Sequence, residues 1–203
     1  MVEQSEFARI IWANWPALLW TANFAWWASE IWIFARDWRG ARGQSADRFS
    51  RVALLAILGL SLAGAQWCIG QFPAARLPDG KIGAVRFACG IVLMWLGIGL
   101  RQWAVATLGR FFRTTVFLQE DHRLVTNGPY RRLRNPSYSG ILLTVVGQGL
   151  TMGNALALLV LTGGVLAGLA WRVHVETQAL RRHFGADFEA YAARSWAVIP
   201  LLW

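Results

Sequence analysis

Long apolar runs broken by short basic segments dominate the chain. Five runs reach or approach the roughly 20 residues that a membrane-crossing helix needs. They lie at about 10–34, 52–72, 82–108, 138–152 and 154–173. The first holds an embedded acid, Glu30. The fourth is short and rich in glycine. Only a few residues separate it from the fifth, which predicts a tight antiparallel helix hairpin. The pattern predicts an all-α fold, a polytopic membrane helix bundle of about five transmembrane helices.

Composition supports this reading. The chain of 203 residues is 56% hydrophobic and 15% charged, against about 25% charged in soluble domains. Thirteen tryptophans suit a protein that meets both lipid and water. The net charge of +9 would fit a nucleic-acid partner, but basic loops beside apolar spans have a simpler cause. Sixteen of the 20 basic residues fall in the 36–51 loop, the 101–134 region and the tail from Arg172. The other side has only Arg9, Arg76, Lys81 and Arg86. The positive-inside rule then places the N-terminus outside and the C-terminus in the cytoplasm. The acidic start MVEQSEFAR and the long first run predict no cleavable signal peptide. Cys68 and Cys89 form no metal-binding pattern and read as small buried hydrophobes. No metal is expected.

The polar segment LVTNGPYRRLRNPSYSG, residues 124–140, interrupts this apolar chain. Asn127-Gly128-Pro129 is turn chemistry, because glycine permits positive φ and proline fixes the next φ. Pro136 suits the first position of a helix. Free backbone N–H groups at such turns can bind polar ligand atoms, and the arginines can equally meet lipid phosphates. Downstream, Arg172 and Glu176 stand four apart on one helix face. That helix is predicted to stop at Gly185, followed by a short helix over 187–194. Together these elements can lid a pocket at the membrane surface. Gly140, Gly147, Gly149, Gly163, Gly164 and Gly168 admit two readings. They pack helices closely, or they form a wall for a flat cofactor or a lipid tail.

The motifs LGRFF, HRLVTNGPYRRLRNPSYSG, the glycine-rich hairpin, R-x-x-x-E, HFGADFEAY and a closing IP occur in that order. In this the chain resembles the isoprenylcysteine carboxyl methyltransferase family, membrane enzymes that use S-adenosylmethionine. The resemblance covers roughly Gly99 to Pro200. It implies N-terminal transmembrane helices over 1–98 and a catalytic region over 99–203. It also implies a cytoplasmic cofactor pocket built from the loop 109–137 and the C-terminal helices. His122, Arg123, Leu124, Val125, Gly128 and Tyr130 would line that pocket, with Asn135, Pro136, Ser137 and Tyr138. Glu176 would hold the cofactor and Arg172 would orient the substrate, the two forming the catalytic pair. Two positions depart from the family pattern. Asn135 stands where the family has histidine, and Thr177 follows Glu176 where a second glutamate is common.

The residues themselves suit such chemistry. A carboxylate acceptor is ionised at neutral pH and needs no general base. Arg172 can grip it with two parallel hydrogen bonds. A phenol or thiol acceptor would need a base, for which His122 and His174 are the candidates. The expected function is methyl transfer to a lipidic or prenylated acceptor in a bacterial cytoplasmic membrane. Other amphiphiles remain open as acceptors: an alkylated phenol, an amine headgroup or a thiol. A reductase of similar topology is a further alternative. So is a non-catalytic transporter subunit or scaffold, but charges gathered at one membrane face disfavour transport, whose sites lie near the midplane.

Overall fold

The structure, a computed structural model, describes residues 6–40, 48–112 and 124–203. These form six α-helices: α1 (Glu6–Gly40), α2 (Arg48–Gln71), α3 (Gly80–Leu108), α4 (Pro136–Thr151), α5 (Ala155–Phe184) and α6 (Ala186–Ala192). The described residues contain no strand, only isolated bridges at Arg76–Asn154 and Leu133–Trp196. Three stretches are long and apolar enough to cross a membrane: Val52–Gln71, Gly80–Leu108 and Ala155–Phe184. Helix α1 has the length but spends it on tryptophans, polar residues and Glu30, and α4 has only 16 residues. Helix α3 runs unbroken through residues 98 and 99.

Packing partners do not follow chain order. Helix α1 lies on α3, α3 on α4, α4 on α5, and α5 on α2. The consecutive helices α1 and α2 therefore end this series on opposite sides. The α3–α4 contact is made by glycines at heptad spacing. A side chain at Gly90 would meet the carbonyl of Gly147 at 2.7 Å, and one at Gly140 would meet that of Gly97 at 2.7 Å. Absent side chains let the two backbones touch, which is how small residues drive helix association in lipid. Gly149 abuts Leu158 within the hairpin, Gly164 abuts Ser61, and Gly168 abuts Ile57. These glycines serve packing, whereas Gly163, on the same hairpin, faces open space. Cys68 is buried as expected, but Cys89 is exposed, because its side of α3 points away from α4.

The turns form where local chemistry directs them. Gly128 takes φ +55° and opens a 3-10 turn over Gly128–Arg131. Pro136 begins α4. In the hairpin, Gly153 takes φ +67° and the Asn154 side chain caps α5 by accepting from the Ala157 N–H at 3.0 Å. The Asn154 amide also donates to the Phe72 carbonyl at 3.0 Å, fastening the hairpin to the end of α2. Gly185 ends α5 with φ +53°, and α6 turns back from it.

Candidate active site

A cavity of about 400 Å³ lies among α1, α2, α3, α4 and α5, with α6 and the polar segment also lining it. Its walls are largely apolar. Trp26, Trp27, Ile31 and Phe34 come from α1, and Leu54, Leu55 and Leu58 from α2. Val165 of α5, Ile141 of α4 and Phe188 of α6 add to them. The polar groups are few: Glu30, Arg101, Tyr130, Arg134, Asn135, Ser137, Tyr138, Arg172, Glu176 and Tyr191. An apolar concavity with a small set of convergent polar groups is the usual form of a small-molecule site.

Tyr138 organises one side of it. Its hydroxyl accepts from the Arg172 Nε at 3.2 Å and also interacts with Glu176. Arg172 is 1% exposed, while Glu176 is only partly buried. One helical turn separates this pair along α5, so both reach the cavity from one face. Tyr130 approaches from the 3-10 turn. Burial first, and then the negative charge of Glu176, push its phenol well above the ordinary value. Tyr130 is therefore a neutral hydrogen-bonding group at working pH.

The C-terminal segment braces the polar stretch from behind. Arg134 and Asn135 donate their backbone N–H groups to the carbonyls of Trp196 and Ala197, at 2.7 and 3.0 Å. The Asn135 side chain donates to the Ala197 carbonyl as well, at 3.1 Å. Ser139 donates to the Val198 carbonyl at 2.5 Å. The Arg134 guanidinium bonds the carbonyls of Ala192 and Ser195. An amide at position 135 thus ties the start of α4 to the chain end.

Tyr191 completes the brace. Its buried hydroxyl donates to the Tyr130 carbonyl at 2.7 Å and lies 3.2 Å from that of Leu133. Burial pushes its phenol up to about 12, against the pull of Arg134 and Arg194. Folding favours the neutral form, so the unfolded chain ionises first as pH passes the ordinary value of 10.0. This contribution is complete below that value and drains away as pH rises toward 12. Tyr191→Phe should cost about 1–3 kcal/mol, since it strands buried carbonyls. It should also flatten the alkaline loss of stability. Thermal unfolding of both proteins at neutral and alkaline pH measures both effects.

The structure gathers Leu124, Val125, Tyr130, Asn135, Ser137, Tyr138, Arg172 and Glu176 around one cavity. Two further candidates stand outside its lining. Gly128 packs toward Thr107 of α3 and shapes the turn, and Pro136 starts the helix. His122 and Arg123 lie outside the described residues. Sequence reasoning passed over Arg101, Arg134, Phe188 and Tyr191 as lining residues, and it noted Glu30 only as an acid embedded in the first apolar run. Arg101 was counted only as a basic residue near a loop. The signal that could have found it was its place on the α3 face that carries Gly90 and Gly97.

Comparison with known proteins adds to this picture. The phospholipid methyltransferase family matches residues 85–187. A probable protein-S-isoprenylcysteine O-methyltransferase of Oryza sativa subsp. japonica is 32% identical over 115 residues, 56% of this chain and 60% of the relative. The protein-S-isoprenylcysteine O-methyltransferase of Schizosaccharomyces pombe is 31% identical over 154 residues, 73% of this chain and 65% of the relative. Among solved structures, the eukaryotic intramembrane Ras methyltransferase, an isoprenylcysteine carboxyl methyltransferase, superposes with a TM-score of 0.56 at 26% identity. That match covers 72% of this chain and 52% of the other. The chain spans about 60% of the length of the plant relative. With its apolar helices and its likeness to that intramembrane enzyme, it is an integral membrane protein.

Proposed function

Because the chain belongs to the phospholipid methyltransferase family, we propose that it transfers a methyl group from S-adenosylmethionine to the carboxylate of a lipid-like acceptor of the isoprenylcysteine type. The observation that carries this reading is the cavity itself. Its apolar walls and its cluster of Arg172, Glu176, Tyr130 and Tyr138 suit an amphiphile with a charged head.

The site fits the methyl donor. Glu176 offers a partly buried carboxylate for a cationic group, and Tyr130 and Tyr138 offer neutral hydroxyls beside it. Leu124, Val125 and Asn135 line the same cavity from the polar segment. When bound, S-adenosylmethionine supplies a methyl group already activated on a sulfonium sulfur. The protein's task is then to position the two partners and exclude water. Arg172 holds the acceptor carboxylate, with its own orientation fixed by Tyr138. Glu176 holds the donor's cationic end. No residue needs to remove a proton from a carboxylate acceptor.

In the membrane, α1 and α4 join α2, α3 and α5 to make five crossings. Helix α4 rises about 24 Å at 1.5 Å per residue, short of the roughly 30 Å hydrocarbon core. Its tight glycine contacts with α3 shield it from lipid. The basic segments face the cytoplasm of a bacterium, which puts the polar end of the cavity within reach of soluble S-adenosylmethionine.

The test is calorimetric binding of S-adenosylmethionine to the detergent-purified protein, followed by methyl transfer to a panel of acceptors. The panel holds a prenylated cysteine with a free carboxylate, an alkylated phenol, an amine-headed lipid and an alkyl thiol. Methylation of the prenylated cysteine ahead of the others is expected. Binding without any transfer to a carboxylate would reassign the acceptor, and no binding would refute the methyl donor.

A further inference from the structure

The cavity has a second polar cluster that its α5 side does not explain. Glu30 of α1 and Arg101 of α3 form a two-pronged ion pair across 71 positions of sequence. The Arg101 Nη2 donates to one carboxylate oxygen at 2.7 Å, and its Nε donates to the other. The remaining arm, Nη1, donates to the Ser137 hydroxyl at 2.6 Å. Glu30, Arg101 and Ser137 all line the cavity. Their side chains are differently placed, since that of Arg101 is 9% exposed and that of Glu30 27%.

Three features make this more than a buried ion pair. First, Ser137 and Tyr138 are neighbours at the start of α4, yet they bond arginines from different helices, α3 and α5, in the lining of one cavity. Tyr138 meets Arg172, and Ser137 meets Arg101. Second, Ser137 spends its oxygen as an acceptor. Its own proton finds no acceptor among the described residues, and a hydroxyl carries one donor to spend. Third, Arg101 cannot drift. A side chain at Gly140 would lie 2.9 Å from its backbone nitrogen, so the α3–α4 contact fixes where its stem begins. Its head is then set by Glu30, whose helix lies outside the family match over 85–187.

We propose that Glu30 is a positioning residue of the site. It holds Arg101 so that Ser137 accepts from Arg101 and directs its own proton into the cavity, toward an oxygen of the acceptor's head group. Helix α1 thereby completes the site as well as walling it. This inference rests on the methyl-transfer reading above and adds a contact to the acceptor besides that of Arg172.

The experiment uses the full chain in detergent or proteoliposomes, with the prenylated cysteine carboxylate as acceptor. Steady-state kinetics are compared for wild type, Glu30→Gln, Ser137→Ala and the double variant. Glu30→Gln keeps the shape and removes the charge. It should lower kcat/KM for the acceptor about tenfold to a hundredfold, as misplacing a reacting group does, and leave S-adenosylmethionine binding within about twofold. Because Glu30 acts through Ser137, the double variant should fall no further than the worse single variant. Wild-type kcat/KM in Glu30→Gln, or losses that multiply in the double variant, would overturn the inference alone. So would loss of S-adenosylmethionine binding in Glu30→Gln, since the damage would then be general. A wild type inactive on every acceptor would overturn the functional reading and this inference with it. Should Glu30→Gln fail to fold, Ser137→Ala decides: a tenfold loss supports the assignment, and unchanged kinetics refute it.

Discussion

Replacing Glu176 by glutamine should weaken S-adenosylmethionine binding by about 2–5 kcal/mol, the cost of losing one member of a charge pair that the bound donor would close off from water. That is roughly thirtyfold to several thousandfold in Kd. The substitution keeps volume and hydrogen-bonding reach, so the loss reports charge. On the proposed function, Glu176 does two jobs: it meets the donor's cationic end, and it balances Arg172, which is 1% exposed. Without it the Arg172 charge stays buried with less compensation, which is costly in its own right. Calorimetry on the purified variant measures the first effect. Thermal unfolding of the same sample measures the second and separates lost binding from lost fold. A variant that keeps its fold and binds as tightly as wild type would remove Glu176 from the donor site.

Gly97→Leu should be the most damaging substitution to the fold. Even the first added carbon would lie 2.5 Å from the Gly140 carbonyl oxygen and 2.6 Å from the Thr144 backbone nitrogen. Both obstacles are backbone, so no side-chain rotation relieves them. The helices must separate, at a cost upward of about 3 kcal/mol. That lowers the melting temperature by roughly 6–12 °C for a chain of this size. The consequence for the site is direct. Separation of α3 from α4 pulls Arg101 away from Ser137, which that contact holds at 2.6 Å. Gly99→Ala is the matched control, two residues along the same helix, with nothing within 4 Å of the added carbon. It should unfold within about 0.5 kcal/mol of wild type. Similar melting temperatures for Gly97→Leu and wild type would show that the helices do not meet as described.

The difference between these glycines shows what a linear reading can miss. Gly97 and Gly99 look alike in sequence, and neither was among the glycines singled out. Gly140 and Gly147 stood out, but nothing in their neighbourhood said that they face α3. Asn135 stood out only as a departure from the family histidine. Its bond to the Ala197 carbonyl is a bracing role that no local pattern encodes. His122 and Arg123, expected beside the cofactor, lie outside the described residues.

By itself the sequence determined what is local. Apolar runs of the right length dictate helices, because a backbone in lipid must satisfy its own hydrogen bonds. Glycine and proline set the turns at 127–129, 135–136 and 185 through their φ preferences. The four-residue spacing put Arg172 and Glu176 on one face. The order of motifs pointed to the chemistry. Beyond the α4–α5 hairpin, only the tertiary structure decided which helix lies against which, and with that the pairing of Glu30 with Arg101, the fit of Gly90 and Gly97 against Gly147 and Gly140, and the cavity that these helices enclose. Helix pairing in a membrane turns on the matching of two surfaces, and residues 71 positions apart meet only once those surfaces have closed.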